Sequence, residues 1–204
     1  MTKLAVLYYS ATGHGTAMAN RVAATAETAG AEVRLRHIAE TRDPESFASN
    51  SAWTANYEAT KDLPAASGDD IVWADAVIFG TPTRFGNAAS QFRAFIDSLG
   101  GLWAKGQLAD KVYAAFTSSQ TAHGGQETTL MSILTNLLHM GCTVVGLDYG
   151  FQGQMGVDEV KGGAPYGATT IADGDGSRQP SKTELDGARY LGKRVATTAA
   201  KLHG

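Results

Sequence analysis

Residues 3–16 read KLAVLYYSATGHGT, an apolar, β-favouring run from Lys3 to Tyr9 that breaks at once into the polar, glycine-containing Ser10-Ala11-Thr12-Gly13-His14-Gly15. A short continuous apolar run of this kind is the pattern of a strand buried on both faces. Small and apolar residues then recur at helical spacing from Thr16 to Ala29, Gly30 closes them, and Glu32 to Ile38 resumes a strand pattern. Strand, loop, helix and strand in this order predict a parallel pair joined by a crossover helix.

The pattern repeats along the chain. Asp75–Gly80 (DAVIFG) predicts a strand, Thr81–Gly86 a loop and Ala88–Leu99 a helix. Lys111–Ser118, the loop Ser119–Gly125 and a helix over Gln126–Met140 follow, and Thr143–Gly146 opens a fifth strand. Ala188, Leu191, Val195 and Ala199 mark the inner face of a closing helix, Glu184–Leu202. The polar stretch Thr41–Ser67 reads as loop containing a short helix. Such alternation predicts an α/β fold with a doubly wound parallel sheet. One segment, about residues 147–183, is far longer than an ordinary connection of about 2–6 residues and marks an insertion. Within it, Tyr166–Ala172 (YGATTIA) is placed to complete an interrupted edge strand.

Composition narrows the function classes. With 43% hydrophobic and 18% charged residues in 204 positions, the chain is excluded from charge-driven disorder and is expected to form one domain, residues 1–204, with the insertion inside it. A net charge of −3 supplies no cationic footprint for nucleic acid or anionic membrane. No window reaches 18 consecutive apolar residues, so no membrane insertion is expected. The lone Cys142 and the absence of a signal-peptide pattern point to a cytoplasmic location. Glycine is in excess, 24 residues or about 12% against a usual ~7%, and ten lie between Gly141 and Gly176. Backbone is therefore used as a working surface.

In an open α/β sheet, ligands bind beyond the carboxyl ends of the strands, where three loops emerge here: Ser10–Gly15, Thr81–Gly86 and Ser118–Gly125. The first offers hydroxyls and free N–H groups ahead of a helix, which suits a phosphate monoester without lysine or arginine. The plain alternative is a strand-to-helix turn capped by Ser10 or Thr16. Competing motifs fail on the same residues. Met18 occupies the third glycine position of a dinucleotide fingerprint, no Walker sequence is present, and no serine lies between the two glycines of a nucleophile elbow. A phosphorelay receiver would carry carboxylates where Ser10 and Thr12 stand. No His and Cys spacing supports zinc, and no metal is expected.

The opening YYSATGHGT resembles the phosphate loop of flavodoxin-like proteins. GTPTRFGN at Gly80–Asn87, GGLW at Gly100–Trp103 and the run GGAPYGATTIADGDGSRQPS at Gly162–Ser181 are similar to the WrbA family, the type IV NAD(P)H:quinone oxidoreductases, in the same order over nearly the whole chain. The resemblance implies a flavodoxin-like five-stranded parallel sheet of order 2-1-3-4-5 whose fifth strand the insertion interrupts. It also implies bound FMN, two-electron reduction of quinones by NADH or NADPH, and a homotetramer packed by the insertion. Carried over by position, Ser10, Ala11, Thr12, Gly13, His14 and Gly15 would hold the FMN phosphate. Thr81, Pro82, Thr83, Arg84, Phe85 and Gly86 would line the flavin ring, with Ser118, Ser119, Gln120, Thr121, Ala122, His123 and Gly124 on its far side. His139 is also implied at the flavin. Thr12, Phe85, Trp103, His139 and Tyr149 match positions where nicotinamide and quinone bind. Two departures stand out: Thr12 replaces a common tyrosine, and Met140 follows His139 where a second histidine is common.

Hydride transfer is the flavin's own chemistry, so no catalytic side chain is required and a ping-pong cycle at one face is expected. Each marked residue also has a structural alternative. Trp103 can cap the sheet, His139 can face a helix dipole, and Arg84 can pair with a surface carboxylate. Cys142 reads as a small core residue, and Asp173, Asp175 and Arg178 as a hydrogen-bonded loop rather than a metal or phosphate cluster. Two other functions compete with the enzyme: a flavodoxin-type electron carrier and a flavin-binding regulatory protein. A carrier needs a charged docking face, which this near-neutral chain does not offer.

Overall fold

A computed structural model covers residues 1–204. Strand β1 (Lys3–Tyr8) is flanked by β2 (Glu32–His37) and β3 (Ala76–Arg84), both parallel to it, and helix α1 (His14–Thr28) makes the first crossover. β5 (Val112–Ser119) pairs in parallel with β3. The fifth position is filled in two pieces: β6 (Thr143–Val144) runs beside Val112 and Tyr113, and β7 (Ala168–Ile171) beside Phe116 to Ser119. The order is thus β2-β1-β3-β5-β6, or 2-1-3-4-5 when the parallel strands alone are counted. The strand is interrupted between Val144 and Ala168, a narrower gap than residues 147–183, because Ala168–Ile171 has returned to the sheet and residues 172–181 lead into the last helix.

Alternation along the strands divides the core into two layers. Leu4, Val6, Tyr8, Ile78 and Phe116 face α1 and α7 (Lys182–His203), meeting Met18, Val22, Leu191 and Val195. Ala5, Leu7, Val77, Phe79 and Tyr113 face α3 (Gly68–Trp73), α4 (Ser90–Asp97) and α6 (Gln126–His139), meeting Ile71, Phe92, Ile133 and Leu137. Both faces are covered, which is why these strands read as apolar runs rather than as alternating ones. Each buried Leu, Ile or Phe contributes about 1.5–3 kcal/mol relative to exposure.

The structure departs from the sequence expectation at the end of β3 and in helix α3, which the sequence pattern does not mark, while the short helix expected within residues 41–67 is present. Thr81–Arg84 is not loop but the end of β3, which turns at Phe85-Gly86 into β4 (Asn87–Ala88) as an antiparallel hairpin. Phe85 and Gly86 have φ of 54° and 81°, the left-handed pair of a type I′ turn. Between β2 and β3, residues 41–67 hold a 3-10 turn at Pro44–Phe47 and α2 (Ser51–Thr60), and α3 follows. After α4, the short α5 (Gly100–Ala104) carries the GGLW residues.

Candidate functional site

The carboxyl ends of the central strands open into a cleft of about 490 Å³. At its base, α1 begins at Gly13, whose φ of 90° turns the chain into the helix, and no side chain caps the helix. The Ser10 hydroxyl instead accepts from the Gly13 N–H at 3.2 Å. Neither of the caps considered from sequence forms, and the Thr16 hydroxyl is directed to Asn56. Asn56 in turn donates to the Ser10 carbonyl at 2.7 Å and holds the loop from the α2 side. Buried His14 lies 2.9 Å by Nε2 from the Arg178 carbonyl and 3.0 Å by Nδ1 from the Thr12 hydroxyl. A carbonyl can only accept, so Nε2 carries the proton shared with Arg178.

The cleft brings together Ser10, Ala11, Thr12 and His14 with Pro82, Thr83, Arg84 and Phe85, and these with Ser118, Ser119, Gln120, Thr121 and Gly124. Thr81 lies beneath it, buried, where its hydroxyl accepts from the Ala89 N–H and its carbonyl from the Thr117 hydroxyl. Gly13, Gly15 and Gly86 shape the loops without forming the lining, and Ala122 and His123 are exposed at the tip of the third loop. That loop is braced from within: Gln126 donates to the Ser119 hydroxyl, which donates to the Thr121 carbonyl, and Gln120 reaches the Gly174 carbonyl. The run Asp173–Arg178 therefore supports the cleft through Gly174 and Arg178. Arg178 pairs with fully buried Glu184. No group of three or more His, Cys, Asp or Glu comes together as a metal site.

Trp103 and His139 are not in the cleft. α6 starts at the cleft edge of the sheet and runs antiparallel to the strands for 14 residues, so His139 lies about 20 Å away at the opposite edge. Trp103 is beside it, its indole N–H donating to the His139 carbonyl at 3.1 Å, in a separate depression of about 310 Å³ lined by Leu99, Leu108 and Met140. Tyr149, in the connection after β6, is exposed and lines neither cavity. Within one chain, the structure does not unite these three residues with Phe85. Cys142 is half-buried against the core, and burial pushes its thiol up to about 12.

Sequence reasoning missed the cleft's third wall, formed by Arg42, Asn50 and Trp53, and its edge at Ala172. A signal for the wall was present, since Asn50 caps α2 by accepting from the Trp53 N–H at 3.0 Å. Glu40 fixes this wall. Its carboxylate accepts from the Tyr9 hydroxyl, the Trp53 indole, the Gln91 amide and the Thr41 and Arg42 N–H groups, at 2.5–3.0 Å. Partial burial pushes Glu40 upward, but these donors outweigh it and hold the carboxyl below its ordinary value. Burial and the Glu40 charge push the Tyr9 phenol far up, so it stays a donor. Arg42 and Arg84 are the only formally charged side chains lining the cleft, and no carboxylate lines it. The arrangement favours an anionic ligand.

Sheet order and a three-loop cleft of this kind define a flavodoxin-like α/β protein. The NADPH-dependent FMN reductase family matches residues 2–154. Curated relatives named "NAD(P)H dehydrogenase (quinone)" from Nitrobacter winogradskyi and Afipia carboxidovorans are 59% and 58% identical over 204 residues, 100% of each chain. The flavodoxin, WrbA-like protein from Agrobacterium tumefaciens superposes with a TM-score of 0.69 at 27% identity over 99% of both chains. An archaeal flavodoxin, 18% identical with a TM-score of 0.63 over 98% of this chain and 99% of its own, shares the fold. The chain belongs to the NADPH-dependent FMN reductase family, within its WrbA group.

Proposed function

We propose that this protein is an FMN-dependent NAD(P)H:quinone oxidoreductase. The observation that carries the reading is the cleft itself: an uncapped helix N-terminus with hydroxyls around it, backbone-rich walls and no carboxylate, in a chain that relatives named "NAD(P)H dehydrogenase (quinone)" match from end to end. The donor set fits FMN. Ser10–Gly15 would take the phosphate on N–H groups of the first turn of α1, assisted by the helix dipole. The Thr81–Gly86 stretch and Ser118–Gly124 would flank the ring, and backbone N–H groups there would donate to the ring edge that gains electron density.

When bound, FMN supplies two-electron transfer from NADH or NADPH to a quinone. The chain's own part is to bind and orient. Phe85, held by the hairpin turn at the cleft mouth and fully exposed, offers an apolar ring against which nicotinamide or quinone would stack in turn, as a ping-pong cycle requires. Trp103, His139 and Tyr149 lie outside the cleft of their own chain and are exposed, so they would act on the flavin of another copy. That role supports a homo-oligomer, a tetramer by resemblance. Further exposed apolar residues, Met155, Val157 and Val160, lie in the segment between the two pieces of the edge strand. The reading is tested by adding NADH or NADPH to the yellow protein without oxygen. Bleaching by either donor and recovery with a benzoquinone are expected; a bound flavin that neither donor bleaches defeats the reading.

A further inference from the structure

The wall of the cleft opposite the β5 loop carries a cation with no carboxylate partner. Arg42 lines the cleft and forms no ion pair, unlike Arg34, Arg36, Arg178, Arg189 and Arg194, which all meet carboxylates; Arg84, the cleft's other arginine, is also without an ion pair but donates back to the Thr83 carbonyl at 2.9 Å. The nearest carboxylate in sequence, Glu40, is occupied by the Tyr9, Trp53 and Gln91 side chains and by the Thr41 and Arg42 N–H groups, and it forms no ion pair with the guanidinium. Those two backbone bonds fix where residue 42 leaves β2. The guanidinium itself sits 5.2 Å above the Trp53 ring, which is locked by its indole bond to Glu40 and by stacking on Phe47 at 4.9 Å. Beside it, Asn50 uses its side-chain oxygen to cap α2, which leaves its amide N–H groups free to donate.

We propose that Arg42, held over Trp53 and assisted by Asn50, is the subsite that takes the 2′-phosphate of NADPH and so makes this protein prefer NADPH over NADH. The proposal rests on the reading of the cleft as a quinone reductase site. Within that reading the FMN phosphate has its own donors on the Ser10–Gly15 loop, and a quinone carries no phosphate. The pyrophosphate is common to both nicotinamide donors. The 2′-phosphate is the one monoester dianion left over, and a preorganised guanidinium with an adjacent amide is the donor set that binds such a group by charge-assisted hydrogen bonds. Glu40 and Trp53 act here as positioning residues.

The test compares 2′,5′-ADP with 5′-AMP as ligands of the FMN-loaded protein by calorimetry, and NADPH with NADH as donors, in the parent chain, Arg42→Gln and Arg42→Lys. In the parent, 2′,5′-ADP is expected to bind at least about tenfold more tightly than 5′-AMP, the worth of one charge-assisted contact. Arg42→Gln is expected to erase that ratio and to lower the NADPH-to-NADH ratio of kcat/KM about tenfold, with partial rescue by Arg42→Lys. Equal affinities for the two nucleotides in the parent overturn the proposal. Equal loss on both donors overturns it in favour of a pyrophosphate contact, and loss of FMN in favour of a flavin-phosphate contact. A protein that turns over neither donor defeats the quinone-reductase reading, while the two nucleotide affinities still decide on Arg42.

Discussion

Phe85 holds an exposed ring at the cleft mouth at a cost in local strain. A non-glycine residue at φ 54° is disfavoured by roughly 1 kcal/mol, and this ring buries nothing within the chain that would repay it. Phe85→Asn, a residue that tolerates the left-handed region, is therefore expected to leave thermal stability unchanged or slightly higher while raising KM for an apolar benzoquinone severalfold. A clear fall in melting temperature would show that the ring supports the fold rather than the cleft. Single residues also mark the limits of sequence reading. The glycines and hydroxyls of Ser10–Gly15 were legible because strand, turn and helix are adjacent in sequence. The sequence places Thr81 in the lining, but it lies deeper in β3, buried with its hydroxyl bound to the Ala89 N–H beneath the cleft. Arg42 and Trp53 were missed because a polar stretch of weak periodicity gives no hint of the carboxylate that gathers them.

Elements carry the next level of argument, and α7 is the clearest case. Its capping box joins Ser181 and Glu184, but Glu184 also accepts from the Gly162 and Ile171 N–H groups, the Thr170 hydroxyl and Arg178. One carboxylate thus ties together the start of α7, strand β7 and the returning segment that braces the cleft at His14. Burial pushes Glu184 upward, but Arg178, the Gly162 and Ser181 N–H groups and Thr170 outweigh it and hold the carboxyl below its ordinary value. A depressed carboxyl contributes stability that is present above its unfolded pKa and is lost as pH falls through the folded one. Glu184→Gln is expected to destabilise the chain by about 3 kcal/mol at neutral pH, the cost of breaking a buried pair, and to flatten the loss of stability on acidification. An unchanged acid limb in denaturant melts of the variant would contradict this. Most elements were legible from period and turn residues. The hairpin at Phe85-Gly86 was not, because two residues beyond a turn give no period to read.

At the scale of the whole molecule, the excess of glycine and the extra length share one explanation. The edge strand is made in two pieces, and the chain between them displays Met155, Val157 and Val160 to solvent. Deleting Gly162–Ser181 is a poor probe of assembly, since it removes β7 and the partners of Glu184. Val157→Asp with Val160→Asp leaves those contacts in place. It is expected to lower the mass measured by light scattering from that of an oligomer toward that of the 21.3 kDa chain, and to reduce quinone turnover with it. An unchanged mass would place the interface elsewhere. Alternation alone marks a doubly wound parallel sheet, while its order 2-1-3-4-5 rests on the family resemblance, and the separation of His139 and Trp103 from the cleft follows from the direction of α6, a three-dimensional fact that spacing does not carry.

This cleft is expected to pass electrons in pairs from a nicotinamide donor to a quinone. Anaerobic titration of the flavin-loaded protein measures this directly by absorbance. One equivalent of NADPH per flavin is predicted to bleach the yellow colour fully, and one equivalent of benzoquinone to restore it. A flavin that needs half an equivalent of donor and stops at a one-electron state, or that no donor bleaches, would contradict the account.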